Sequence, residues 1–371
     1  MAVTIDKPNL FMVTNKYFGE GSVSQFTNQI SLKPDLTIVK NRESGSNNWG
    51  QANSVSGVTK MTSVNNDAAE NTDTAGIMAL ADNAPGGYYT VGNTFNVNNA
   101  GYVGVSWKAG TAVSGNTGGS GTSKSYSGTV NTTSGFSIIQ YDGNGTTNHK
   151  IPHHLGVRPN ISIIKNRDSQ QAWPVNLYSN ASSTEPGVKQ AGVVYHNQTD
   201  AAGSYSDSGP YPSGSFDATG VSLGSAGNTN LNDETLIMYT FAEIPGYSRI
   251  TTYKGNGNTS SLISGTMVYC GFKPEWFYTK SLTSSTGGSW IQVDRSQNPL
   301  NQTTNVLSMS NNQGNSDWGS GFNFDILSTG FKLRASPSNG YLNTAGYEYM
   351  VMAFAENPLV TTSGVPATAR C

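Results

Sequence analysis

Few groups in this chain could do chemistry. It has four histidines, three of them in the cluster His149-x-x-x-His153-His154. Two histidines one helical turn apart can hold zinc, so His149, His153 and His154 are the metal candidates. Pro152 would break such a helix, and Leu155-Gly156-Val157-Arg158-Pro159 places the cluster in a turn entering a strand. No nearby cysteine completes a tetrahedral set. A structural or surface role is favoured for all three, and no metal and no cofactor is expected.

The carboxylates are scattered. Asp233-Glu234 precedes an apolar segment, and Asp294 follows Trp290. Glycoside hydrolysis needs two carboxyls converging on one bond, and these pairs do not recur along the chain. Trp290-Ile291-Gln292-Val293-Asp294-Arg295 reads as a strand ending in a surface ion pair. No Gly-x-Ser-x-Gly stands in a strand–turn–helix context. The Gly-x-Gly elements lack the following helix that a phosphate site needs. Asn65-Asn66-Asp67 offers oxygens for weak Ca²⁺ binding, without EF-hand spacing. Aromatics in turn-like segments are the best binding candidates. Tyr88 and Tyr89 follow Pro85-Gly86-Gly87, and Tyr205 and Tyr211 flank a Ser/Gly/Pro stretch. Such rings stack on sugars or protein surfaces, or pack in a core.

Composition limits the elements that could position these residues. The chain has 371 residues, 43 of them Gly, and only 12% charged. Surface helices rely on Glu, Lys, Arg and Ala, so short strands joined by Gly/Asn/Ser turns are expected. The 37 aromatics supply core, which argues against disorder. A net charge of −2 argues against a nucleic-acid partner. No run of about 18 apolar residues suggests membrane insertion. Asp6, Lys7 and Pro8 stand where a secretory signal would be apolar, so synthesis in a host cytoplasm is expected. Cys270 lies in an apolar strand pattern and reads as a core thiol. Pairing with the terminal Cys371 is the less favoured alternative.

The strongest signal is a threefold internal repeat. Tyr17-Phe18-Gly19-Glu20-Gly21, Tyr141-Asp142-Gly143-Asn144-Gly145 and Tyr253-Lys254-Gly255-Asn256-Gly257 open the copies. A strand led by Pro34, Pro159 or Pro274 follows, then Trp49, Trp173 or Trp290. The copies close on Tyr102 to Ala109, Leu236 to Glu243 and Tyr349 to Glu356. Asn144-Gly145 and Asn256-Gly257 suit type I′ hairpins. The closing strands are apolar on both faces. Val103, Val105 and Trp107 correspond to Ile237, Tyr239 and Phe241, and to Met350, Met352 and Phe354.

The expected fold is all-β: three tandem β-sandwich or jelly-roll-like modules. They span residues 1–110, 135–245 and 246–358. A Gly/Ser/Thr-rich linker or extended arm covers 111–134, and a tail covers 359–371. The second and third modules should pack rigidly.

Gly135-Phe136-Ser137-Ile138-Ile139-Gln140-Tyr141-Asp142-Gly143-Asn144-Gly145, Ile151 to Pro159, and Ile163-Ile164-Lys165-Asn166-Arg167-Asp168-Ser169 resemble a repeat domain of unknown function found in tail-fibre and other virion proteins of marine and cyanobacterial phages. Phe241-Ala242-Glu243 and Phe354-Ala355-Glu356 look like its endings, whereas the first module has Trp107-Lys108-Ala109 there. The resemblance implies a bacteriophage virion component and supplies no catalytic residue. A tail fibre or receptor-binding protein is the first expectation, a capsid decoration protein the second and a glycan depolymerase the third. Expected partners are other virion proteins, a host surface glycan and further copies of the chain.

Overall fold

The structure is a computed structural model. It describes the chain apart from residues 1–4, 22–25, 44, 46, 84–85, 178–191, 213, 259–264, 285–287, 315, 318–322, 335–341 and 361–371. It is almost wholly antiparallel β, with one four-residue helix, Gly227–Asn230. As expected, it is an all-β sandwich architecture.

Each repeat builds one large and one small sheet. In the first, the large sheet runs Met12–Phe18, Gly101–Trp107, Leu36–Asn41, Gly50–Asn53, Gly57–Ser63, Asn71–Thr72. The third repeats this order with Ser248–Lys254, Glu348–Pro358, Phe272–Ser281, Ile291–Asp294, Asn305–Ser308 and Ser316–Asp317. The middle one has Phe136–Asp142, Thr235–Phe241, Ile161–Asn166, Pro174–Leu177 and Val193–Tyr195 in the same places. The closing strand always lies between the opening strand and the strand marked by the Pro. Trp107 thus stands opposite Met12 and Leu36, and Phe241 opposite Phe136 and Ile161. Contrary to expectation, the Pro does not head its strand. Pro34 and Pro159 stand two residues before theirs, and Pro274 lies inside Phe272–Ser281 at a bulge, where its missing N–H costs no regular ladder bond.

Residues 111–134 correct the expectation of a linker. They form Thr111–Asn116, Gly118–Gly119 and Ser125–Asn131. Ser125–Asn131 pairs with the middle module's opening strand, and Thr111–Asn116 pairs with Ser125–Asn131. Tyr126, Gly128 and Val130 turn inward in strict alternation. That period of two makes a strand despite the low apolar content.

The two faces of each closing strand have different neighbours. Tyr102, Leu236 and Tyr349 face the cores between the large and small sheets of their own modules. The opposite faces all enter one shared core. There Trp107, Phe241 and Phe354, one from each repeat, form a nearly equilateral aromatic triangle. Centroid separations are 6.2, 5.9 and 5.8 Å. The three modules therefore close around an approximate three-fold axis, and the first contributes to the shared core as the other two do.

The Gly-x-Gly elements are not type I′ hairpins. A Cβ on Gly19, Gly143 or Gly255 would lie 2.1, 2.1 or 2.2 Å from a backbone oxygen of the turn before the closing strand. The second glycines, Gly21, Gly145 and Gly257, hold φ of 66°, 69° and 64°. Asn96, Asn230 and Asn343, all fully buried, lock the element. Their side-chain oxygens accept from the N–H of Glu20, Asn144 and Asn256 at 2.8, 2.9 and 3.0 Å.

Candidate functional site

The candidate site is built where the modules meet. Each repeat's Trp projects from the junction before the fourth strand of its large sheet and donates across to a neighbour. Trp49 Nε1 donates to Ser308 O at 2.8 Å, Trp173 Nε1 to Asn66 O at 2.9 Å and Trp290 Nε1 to Tyr195 O at 2.9 Å. First binds third, second binds first and third binds second, so the contacts form a closed ring of one repeated interface.

Buried lysines stand beside the ring, and one of them, Lys165, reaches across it. Lys40, Lys165 and Lys280 hold equivalent places six residues after each Pro. Lys165 Nζ donates to Asp67 O of the first module at 2.9 Å and to Gln171 O at 2.8 Å. Lys280 Nζ donates to Gly288 O at 2.6 Å. Burial lowers their pKa values to about 8 for Lys40 and Lys165 and about 7 for Lys280. Arg167 grips Glu70 of the first module with two nitrogens, at 2.7 and 2.8 Å.

Asn65-Asn66-Asp67 is thus part of a docking loop. Its Asn66 and Asp67 carbonyl oxygens accept from Trp173 and Lys165, and Asn65 Oδ1 accepts from Trp49 N–H. His196 stands where all three modules touch. It stacks on Trp290 at 5.1 Å, and its Nδ1 lies 3.1 Å from Val64 O. Burial lowers its pKa to about 4. A cavity of about 40 Å³ beside it is lined by Trp107, Trp173, Phe241 and Trp276, among others.

The three sequence-selected histidines are not brought together around a common point. His149 is buried between Asn230 Oδ1 at 2.8 Å and Thr117 Oγ1 at 2.7 Å. His153 accepts the N–H of Leu155 at 3.1 Å and faces Asp217 O. His154 Nε2 lies 2.8 Å from Tyr126 OH. Burial lowers the pKa of all three. They hold the added hairpin and turns of the middle module in place. Among the described residues, no three His, Cys, Asp or Glu side chains converge as a metal set.

Two tyrosine candidates belong to cores. Tyr89 and Tyr211 are fully buried, because their segments form or pack beneath the small sheets. Tyr89 OH donates to Asn15 Oδ1 at 2.8 Å. Tyr205 is half-buried and donates to Asn176 Oδ1 at 2.8 Å. Tyr88 lies in Gly86–Val91, and its side chain is outside the described residues. Asp233 pairs with Lys124. Asp294 is buried and accepts from Gln292, Ser296 and Gln297. The ion pair expected at Asp294 and Arg295 instead joins Arg295 to Glu356 at 3.3 Å. Cys270 is a free, buried thiol pushed up to about 12 by burial, while Cys371 lies outside the described residues.

Two clefts open at module boundaries. One, of about 360 Å³, lies between the first and third modules and includes Lys7, Thr14, Glu275, Arg295 and Glu356. Thr14 Oγ1 donates to Glu275 Oε1 at 2.6 Å there. The other, of about 340 Å³, joins the segment from Glu243 to Arg249 with Tyr269 to Gly271 and Leu359 to Val360. Sequence reading missed Tyr269. The alternation in Met267–Tyr269, with only Val268 inward, was the available signal.

A family model described as a domain of unknown function, DUF7483, matches residues 7–358. No curated protein and no solved structure matches the chain.

Proposed function

We propose that this chain, which belongs to the DUF7483 family, is a non-enzymatic structural component on the surface of a bacteriophage particle, acting in host attachment as part of a tail fibre. The observation that carries the reading furthest is the closed ring of three equivalent modules. A single chain with an approximate three-fold axis fits a three-fold partner, such as a trimeric fibre, without a symmetry mismatch. The candidate acid/base groups support a structural role. Asp294 is tied up in side-chain and backbone hydrogen bonds, and the histidines are held by neighbours. The same axis also suits a three-fold position on a capsid shell, which makes decoration of the head the second reading.

Immunogold electron microscopy of particles carrying a tagged chain tests this. Label at the tail is expected. Label spread over the head would replace attachment by decoration, and particles without label would overturn both.

A further inference from the structure

We infer that the cleft between the middle and third modules binds a saccharide, with Tyr269 as its stacking platform. The inference deepens the host-attachment reading and takes its biological role from it. Tyr269 is 57% exposed at the end of Met267–Tyr269, and the neighbouring outward residue, Met267, is 49% exposed. A lone exposed ring needs no explanation, but this one borders a concave space of about 340 Å³. That lies within the range of small-molecule sites, roughly 300–1,000 Å³.

The lining of the cleft combines apolar and charged side chains. Pro245, Gly271, Leu359 and Val360 join Tyr269 on the wall, and Glu243, Ser248 and Arg249 supply the polar groups. Glu243 Oε1 accepts from Arg249 Nη1 at 2.6 Å, and its Oε2 accepts from Ile250 N–H at 3.1 Å. The pair is held in place yet open to solvent, with side chains 40% exposed for Arg249 and 23% for Glu243.

A pyranose has matching chemistry. One ring face presents C–H groups that pack on an aromatic ring, and its hydroxyls both donate and accept. The carboxylate would accept from one hydroxyl and the guanidinium donate to another. A phosphate-like anion would meet Glu243 unfavourably, and a purely apolar ligand would strand the ion pair.

The test uses the full chain on an array of defined oligosaccharides built from hexoses, deoxyhexoses and amino sugars. Hits are followed by saturation-transfer NMR. Transfer to ring C–H protons is expected, with about a tenfold loss of affinity in Tyr269→Ala. Arg249→Gln should weaken binding, and Tyr269→Phe should retain it. Thermal melts of the variants report folding, and the exposed position predicts unchanged melting for Tyr269→Ala. No binder on the array, or binding indifferent to Tyr269→Ala, would overturn the inference. Adsorption competition on host cells separates the two readings. Competition that survives Tyr269→Ala keeps attachment and removes the cleft. Tyr269-dependent sugar binding without competition keeps the cleft and removes attachment.

Discussion

Replacing Trp173 by Phe removes one hydrogen bond from the ring and part of a ring system that is 1% exposed. The Asn66 carbonyl then loses its 2.9 Å donor across the module boundary. An acceptor left unmatched at this partly buried boundary costs about 1–3 kcal/mol, and the void adds about 1 kcal/mol. The expected loss is about 2–4 kcal/mol. Its effect on the melting temperature depends on what unfolds. Unfolding entropy is about 2.1 cal/mol/K per residue. If all 371 residues melt together through the shared core, the shift is about 3–5 °C. If the middle module with its hairpin, residues 111–245, melted alone, the same loss over about 135 residues would shift one transition by about 7–14 °C. Differential scanning calorimetry should show a single transition for the wild type and the variant. It should move by the smaller amount, with calorimetric and van't Hoff enthalpies equal. A multi-step trace in which one step moves by about seven degrees or more would refute the shared-core argument.

Gly143→Ala should destabilise by about 2–4 kcal/mol, because its Cβ would lie 2.1 Å from Leu231 O. Gly156→Ala, with open space but φ of +72°, should cost only about 1 kcal/mol. Urea titrations of the two variants that gave equal losses would contradict the close-approach role. Acid should weaken the fold through His196. Its folded pKa of about 4 lies below the ordinary value near 6.5. Between these values the unfolded chain takes up a proton that the folded chain does not. Stability therefore falls as the pH drops from about 6.5 and levels off below about 4, a loss of about 3 kcal/mol. His196→Met should lose this component; it copies Met309, whose N–H donates to Trp290 O at 2.8 Å as that of His196 does to Trp173 O at 2.9 Å. Stability curves that remain parallel for wild type and variant across that range would count against it.

The repeat was legible because its anchors are rare residue types with steric or packing duties. Pro is confined to strand approaches and bulges, and Trp fills a fixed volume, so both stand out at matching intervals. The two-sided apolar pattern of the closing strands foretold burial on both faces. It could not say that the second face meets two other modules, since one buried surface looks like another in a pattern. Asn96, Asn230 and Asn343 escaped notice among many turn asparagines, because only their neighbours' backbone geometry makes them special. The 111–134 hairpin was hidden by neutral composition, although Tyr126 and Val130 kept the alternation of a strand. Tyr89 and Tyr211 misled for the opposite reason. Their Gly- and Pro-rich flanks read as surface turns, while the small sheets fold those segments inward.

The closed ring of modules also bears on concentration. Three separate chains meeting through the same Trp contacts would assemble only above a threshold concentration, and dilution would pull them apart. Joined end to end, each module meets its neighbours at an effective concentration set by the chain itself. The ring then holds together equally well at any dilution. Each copy is also free to change on its own. Among the described residues, the hairpin at 111–131 and a histidine at the place of His196 each occur in the middle module alone, departures that identical subunits could not have made one at a time.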